Sequence, residues 1–238
     1  MSLKILVTND DGIDAIGLSY LVEHAKKYGD ITVVAPKYEQ SAKSQAIEVR
    51  KSFECKKIDK FPNVDTYIVD STPTDCVRFA KYGLQLDFDL VLSGINRGYN
   101  VGEDIWYSGT VSVLFEAVSV KAKGIAFSVY KGSNEGYQYF DMVMEHILSN
   151  KLLDICDIYN VNMPEIAKGI KYTKQGTCNF ETWFTETSEN CYIQEGTWIA
   201  ESSEDKMEID SACIANNYIS ITPLTIDRTN NEALNKLK

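Results

Sequence analysis

Lys4-Ile5-Leu6-Val7-Thr8-Asn9-Asp10-Asp11-Gly12 is an apolar run of strand length that stops abruptly at four turn-forming residues. Leu18, Leu21, Val22 and Ala25 follow at helical spacing, so the chain starts as strand, loop, helix. The same alternation repeats outward from this unit. A second strand is predicted at Ile31 to Ala35, ending in Pro36, and a third at Thr66 to Val69. The third leads into Ser71-Thr72-Pro73, where Pro73 suits the first helical position because its missing N–H costs nothing there. Asp89 to Leu92 reads as a buried strand running into Ser93-Gly94-Ile95-Asn96, and Ile125 to Val129 as another. Val111, Leu114, Phe115 and Val118 mark a helix beginning near Ser108-Gly109-Thr110, and Phe140, Val143, Met144, Ile147 and Leu148 mark an amphipathic one.

Strands alternating with helices through about residue 150 predict an α/β fold with a doubly wound, mostly parallel sheet, since each crossover helix must cover a sheet face. Val161-Asn162-Met163-Pro164 is expected to close that sheet. From Lys168 to Ile221 short β-prone segments, such as Tyr192 to Ile193 and Tyr218 to Thr222, alternate with polar stretches, which predicts hairpins and loops. Glu232 to Lys238 reads as a last exposed helix. The expected organisation is therefore a first unit over 1–165 and a smaller C-terminal extension over 166–238.

Composition narrows the function. The 238 residues are 44% hydrophobic and 24% charged, which suits a globular protein with a sizeable core and excludes a disordered or collagen-like chain. The formal charge of -10 disfavours long nucleic acid, whose binding needs clustered Lys and Arg. A small anion remains compatible, because a cation or a ring of backbone N–H groups reverses the field locally. The first residues show no secretory signal pattern and no apolar run reaches the ~20 residues that cross a bilayer, so a cytoplasmic location without membrane association is expected. Cys55, Cys76, Cys156, Cys178, Cys191 and Cys213 form no C-x-x-C pair and read as reduced thiols. His24 and His146 fall inside predicted helices, which argues against a Ser-His-Asp hydrolase.

Ligands of open α/β sheets bind at the C-terminal ends of strands, near a topological switch point. The loops there hold Asp10 and Asp11 after the first strand, Glu39-Gln40-Ser41-Ala42 after the second, and Asn96 after the Asp89 strand. Two carboxylates, a hydroxyl and an amide oxygen make an all-oxygen set suited to Mg²⁺ or Mn²⁺ rather than zinc. Taken singly, each has a plainer use: Asp10-Asp11 as a cap and turn, Ser41 as a loop hydroxyl, Asn96 as a turn residue. Tyr107-Ser108-Gly109-Thr110-Val111 sets hydroxyls and a glycine at a helix start, where free N–H groups favour phosphate or simply form a cap. Neither a G-x-G-x-x-G fingerprint nor a Walker A loop is present. Trp106, Trp183 and Trp198 are candidates for a base-binding pocket or for packing.

Together these stretches resemble the SurE family, the survival-protein phosphatases that act as metal-dependent 5'-nucleotidases. The matching segments are Ile5 to Gly12, Ala35-Pro36 with Glu39 to Ala42, Thr72 to Val77, Asp89 to Gly98 and Tyr107 to Val111, with weaker echoes at Asn160 to Pro164 and Tyr218 to Leu224. The resemblance implies a Rossmann-like catalytic domain over 1–165 and an extension over 166–238 used in subunit association, giving a homodimer or homotetramer. It further implies one divalent metal ion per subunit, Mg²⁺ or Mn²⁺, held by Asp10, Asp11, Ser41 and Asn96, with Asp10 and Asp11 also catalytic. Asn9, Ser108, Gly109 and Thr110 match positions around the family's phosphate pocket. The implied substrates are nucleoside 5'-monophosphates, with 3'-monophosphates and short polyphosphate as further candidates. Ser44 and Gln45 replace the Gly or His common after the Ser-Ala pair, which bears on substrate preference.

Two other readings compete. A receiver-type phospho-acceptor module also carries an acid pair after its first strand, and Asp70 and Lys131 fit it loosely. A nucleotide-binding protein without turnover would keep the same ligands.

Overall fold

The computed structural model describes residues 2–177, 179–199 and 206–238. Eleven strands and six α-helices are formed among them: β1 (Lys4–Thr8), α1 (Ile16–Ala25), β2 (Asp30–Pro36), β3 (Cys55–Ile58), β4 (Asp65–Val69), α2 (Pro73–Arg78), β5 (Leu90–Arg97), α3 (Gly109–Ser119), β6 (Lys123–Val129), α4 (Phe140–Ser149), β7 (Ile158–Met163), β8 (Ile170–Tyr172), β9 (Asn179–Ser188), β10 (Cys191–Ile199), α5 (Asp210–Ala215), β11 (Ile219–Pro223) and α6 (Asn231–Leu237). Nine strands form one sheet in the order β3-β4-β2-β1-β5-β6-β7-β11-β8, and β9 pairs with β10 as a separate antiparallel hairpin. All pairs from β4 to β7 are parallel, while β3 and β11 run antiparallel to β4 and β7.

The central strands are apolar along their whole length because helices cover both faces. On one face Leu18, Leu21 and Val22 of α1 and Val143, Met144 and Ile147 of α4 pack on Ile5, Val7, Leu92 and Phe127. On the other, Cys76 and Val77 of α2 and Val113 and Ala117 of α3 pack on Leu6, Val34, Val69 and Val91. From β1 the chain winds outward through β2 and β4, then returns to β5 and winds the other way through β6 and β7. The switch point therefore lies between β1 and β5, with Thr8 opposite Ser93.

The structure departs from the sequence expectations in two places. The sheet does not close at residues 161–164: β11 pairs antiparallel with β7, and β8 lies parallel to β11, so residues 170–172 and 219–223 extend it. β3 also escaped the sequence pattern, because Cys55-Lys56-Lys57-Ile58 is a half-exposed edge strand whose lysines face water. The last helix is present as α6, capped by the Asn230 side chain accepting from Ala233 N–H at 2.9 Å. No helix among the described residues is long and apolar enough to cross a membrane. Cys55, Cys76, Cys156, Cys191 and Cys213 are free thiols, and Cys178 lies outside the described residues.

Candidate active site

Four segments converge on Asp10 at the switch point. β1 delivers Asn9 and Asp10 at its C-terminal end, both buried, with Asp11 half-buried beyond them. Gly12 turns the chain with φ +92°, and a Cβ there would stand 3.0 Å from the Tyr38 carbonyl carbon, so the loop after β1 and the loop after β2 pack backbone against backbone. Gln40 N–H then donates to the Asp10 carbonyl at 2.7 Å, placing Ser41 next to the acid pair. From β5, Arg97 N–H approaches Asp11 Oδ2 at 3.4 Å, which sets Asn96 beside Asp11. The β5–β6 pairing shifts register between Ser93 and Asn96, an irregularity of the kind that re-aims a strand end at a site. From α3, Thr110 Oγ1 donates to Asp10 Oδ1, and a Cβ on Gly109 would lie 2.8 Å from Asp10 Cβ and 3.0 Å from its Oδ2. Only glycine lets the helix start come this close.

The loop carrying Ser41 is tied down at both flanks. Ser44 N–H donates to the Tyr107 carbonyl at 2.9 Å and Ser44 Oγ to the Trp106 carbonyl at 2.6 Å. Thr72 Oγ1 donates to the Ala46 carbonyl at 2.6 Å, and Glu48 N–H to Asp75 Oδ2 at 2.9 Å. Asp75 is buried and also accepts from Ser71 Oγ. Sequence reasoning passed over Asp75; its place two residues inside a Pro-started helix, behind Thr72, was the available signal.

Burial governs the electrostatics. Asp10 is pushed above the usual carboxylate range by desolvation, opposed by hydrogen bonds from Thr110 and by backbone N–H groups. Asp11 is raised from 3.8 to about 6, first by desolvation and then by the Asp10 charge. Two carboxylates are thus held together where each disfavours the other's ionisation. Asn96 donates Nδ2 to the Gly98 carbonyl at 2.7 Å, so Oδ1 is the atom it could offer to a cation. Ser41 Oγ donates its proton to Glu39 Oε1 at 2.6 Å and retains its lone pairs. Asn9 donates Nδ2 to the Gly12 carbonyl at 2.9 Å, while its buried Oδ1 has no hydrogen-bond partner among the described residues. Among those residues no group of three or more His, Cys, Asp or Glu side chains is set to hold a metal, so a cation here would have to rest on two carboxylates, a hydroxyl and an amide. That donor set fits a hard divalent ion, and such an ion would relieve the repulsion of the acid pair.

Two expected roles take a different form. Thr110, matched by resemblance to a phosphate pocket, spends its hydroxyl on orienting Asp10. Ser108 caps α3, its Oγ accepting from Val111 N–H at 3.0 Å. Trp106 and Tyr107 are exposed just ahead of this turn, Trp183 lies on the β9–β10 hairpin, and the Trp198 side chain lies outside the described residues. His24 pairs with Asp141 at 2.9 Å and His146 with the Tyr172 hydroxyl at 2.8 Å, both away from the acid pair. The receiver arrangement is not formed: β4, which precedes Asp70, and β6, which precedes Lys131, are four strand intervals apart, roughly 19 Å. Asp70 pairs instead with Lys37 at 3.6 Å.

Residues 5–182 match the family model described as survival protein SurE. The chain is 37% identical to the 5'-nucleotidase SurE of Clostridium botulinum (strain Kyoto / Type A2), covering 96% of this chain and 95% of that protein. It is 36% identical to the 5'-nucleotidase SurE of Thermoanaerobacter sp. (strain X514), covering 99% and 97%. Its fold superposes on the crystal structure of the SurE protein from Aquifex aeolicus with a TM-score of 0.80 at 32% identity, covering 99% and 98% of the two chains.

Proposed function

The chain belongs to the SurE family, and from that premise we propose that it is a 5'-nucleotidase, a divalent-metal-dependent phosphomonoesterase that converts nucleoside 5'-monophosphates to nucleoside and phosphate. The observation that carries this reading is the acid pair at the switch point with three further segments closed onto it. Asp10, Asp11, Ser41 and Asn96 would hold Mg²⁺ or Mn²⁺. When bound, the ion supplies Lewis-acid activation of water and neutralises charge on the phosphoryl oxygens.

The protein's own groups divide the remaining work. Asp10 is sealed behind Gly109 and fixed by Thr110, so it is the rigid anchor of the site. Asp11 is the more open of the two, and it is the carboxylate that would orient or deprotonate the attacking water. The N-terminal turn of α3, capped by Ser108, presents its positive end beside Asp10, where it would receive the phosphate oxygens. The net charge of -10 keeps long nucleic acid away and leaves small nucleotides as the substrates that the local donors can capture.

The β9–β10 hairpin exposes Trp183, Phe184, Tyr192 and Ile193, and we assign it to self-association as a homodimer or homotetramer. A monomeric mass by light scattering would contradict that part. The central test is phosphate release from a panel of nucleoside 5'- and 3'-monophosphates and short polyphosphate, with EDTA, Mg²⁺ or Mn²⁺, for wild type and Asp10→Asn. Metal-restored release from 5'-monophosphates, lost on substitution, is expected. No release with any metal would overturn the proposal in favour of nucleotide binding without turnover.

A further inference from the structure

The loop from Asn96 to Ser108 joins a metal-ligand position to the turn assigned to phosphate, and it is pinned by side chains distant in sequence. Asn100 is read on every side. Its N–H donates to Asn162 Oδ1 at 2.8 Å, and its carbonyl accepts from Asn160 Nδ2 at 2.7 Å and Asn162 Nδ2 at 2.9 Å. Its own Nδ2 donates to Ser128 Oγ at 2.8 Å. Two residues on, Gly102 N–H donates to Asp210 Oδ2 at 2.9 Å. The other oxygen of Asp210 accepts from Gly176 N–H at 2.9 Å and Ser211 N–H at 2.8 Å.

Asp210 is 1% exposed, and three backbone donors spread over its two oxygens are what keep a carboxylate inside the fold. Gly102 opens a 3₁₀ turn over 102–106, and within it the Asp104 carbonyl accepts from the N–H groups of Tyr107 and Ser108, both at 3.1 Å. Ser108 in turn caps α3, whose Thr110 orients Asp10. Hydrogen bonds joined by short stretches of backbone therefore lead from Asp210 to the Ser108 cap, while Thr110 is held on Asp10 by its own hydrogen bond and by the close packing of Gly109. On the opposite flank, Gly98 N–H is held independently by the Val129 carbonyl at 3.0 Å, so Asn96 does not depend on Asp210.

We infer that Asp210 is a positioning residue for the reaction, one that sets the Ser108 end of that turn against the substrate phosphate through Gly102 while leaving the metal ligands in place. The inference rests on the proposed function and goes beyond it, because it gives the C-terminal segment a share in the chemistry. Asp210→Asn is the discriminating variant. An amide can keep its oxygen toward Gly176 and Ser211 only by turning its NH₂ toward the Gly102 N–H, donor against donor, so the contact to the loop is the one lost.

The expected result is a folded protein whose Mn²⁺ dissociation constant stays within threefold of wild type. Its kcat falls at least tenfold and its inhibition constant for inorganic phosphate rises at least fivefold. A merely structural role would move unfolding temperature, metal affinity and turnover together. Folded Asp210→Asn with kcat and phosphate inhibition within twofold of wild type would overturn the inference, as would loss of Mn²⁺ affinity in step with kcat. In the wild type, slow hydrogen exchange over residues 99–104 is expected, and exchange at free-chain rates would refute the clamp whether or not Asp210→Asn folds. Absence of phosphate release by the wild type would sink the proposed function instead, a result that the exchange measurement keeps separate.

Discussion

Replacing Asp11 by Asn should stabilise the metal-free protein while abolishing turnover. The Asp11 carboxyl is raised from 3.8 to about 6 by burial and by the Asp10 charge. It is an acid whose folded pKa lies above its unfolded one, so the folded state binds more protons than the unfolded state between these values, and stability falls as pH rises through that window. Above pH 7 both states are ionised and the full difference is felt. At about 1.4 kcal/mol per pKa unit, it amounts to about 3 kcal/mol held against folding. At pH 4 the folded carboxyl is protonated and the unfolded one about half ionised, which leaves about 0.5 kcal/mol. Asn keeps an oxygen for Arg97 N–H and carries no charge. Urea unfolding in EDTA should therefore show Asp11→Asn more stable than wild type by 1 to about 3 kcal/mol at pH 7.5, with the gap closing toward pH 4. Saturating Mg²⁺ should reverse the order, because only the wild type gains binding energy from it. A variant no more stable than wild type at pH 7.5 in EDTA, or a gap that does not shrink toward pH 4, would refute this electrostatic account.

Three further substitutions probe the frame of the site. Thr110→Val removes the hydroxyl that orients Asp10 and should weaken Mn²⁺ binding about 10- to 100-fold, as loss of a hydrogen bond to a ligating carboxylate does, and calorimetric titration reads it directly. Gly109→Ala forces a methyl between Asp10 Cβ at 2.8 Å and Pro73 Cγ at 3.2 Å, costing about 1–3 kcal/mol of overpacking; turnover should fall at least tenfold, and full activity would contradict the close approach. Thr72→Ala loses the α2 cap, accepted from Asp75 N–H at 3.1 Å, and the tie to Ala46, and should cost about 1–2 kcal/mol in urea unfolding.

Much of the sheet was legible because a strand buried on both faces can only be apolar. Leu6, Val34, Val91 and Phe127 announce β1, β2, β5 and β6 as short hydrophobic runs between turn formers. β3 was not legible, since an edge strand needs only one neighbour and Lys56 and Lys57 suit its open side. The closing of the sheet was also hidden. Ile219–Pro223 looks like any half-buried strand, and nothing local says that it pairs with β7, about 60 residues earlier, instead of continuing the hairpins that precede it.

The candidate site divides along the same line. Asp10, Asp11, Ser41 and Asn96 were legible because topology alone brings the ends of β1, β2 and β5 to one edge, so their residue types could be read as one donor set. Asp75 and Asp210 were not, because an acid that accepts backbone N–H bonds has no sequence mark that separates it from an acid in water. In a chain with 34 Asp and Glu, Asp210 sits next to a Glu-rich stretch that invites the solvent-exposed reading. What distinguishes it is a set of partners, Gly102, Gly176 and Ser211, of which two lie 34 and 108 positions away. Residues that meet a reactant must stand at strand ends, where periodicity reveals them; residues that hold those in place can come from anywhere the chain returns. The site is thus finished by its C-terminal segment, and a protein cut after β7 would keep every candidate ligand yet lose the support of the turn that faces the phosphate.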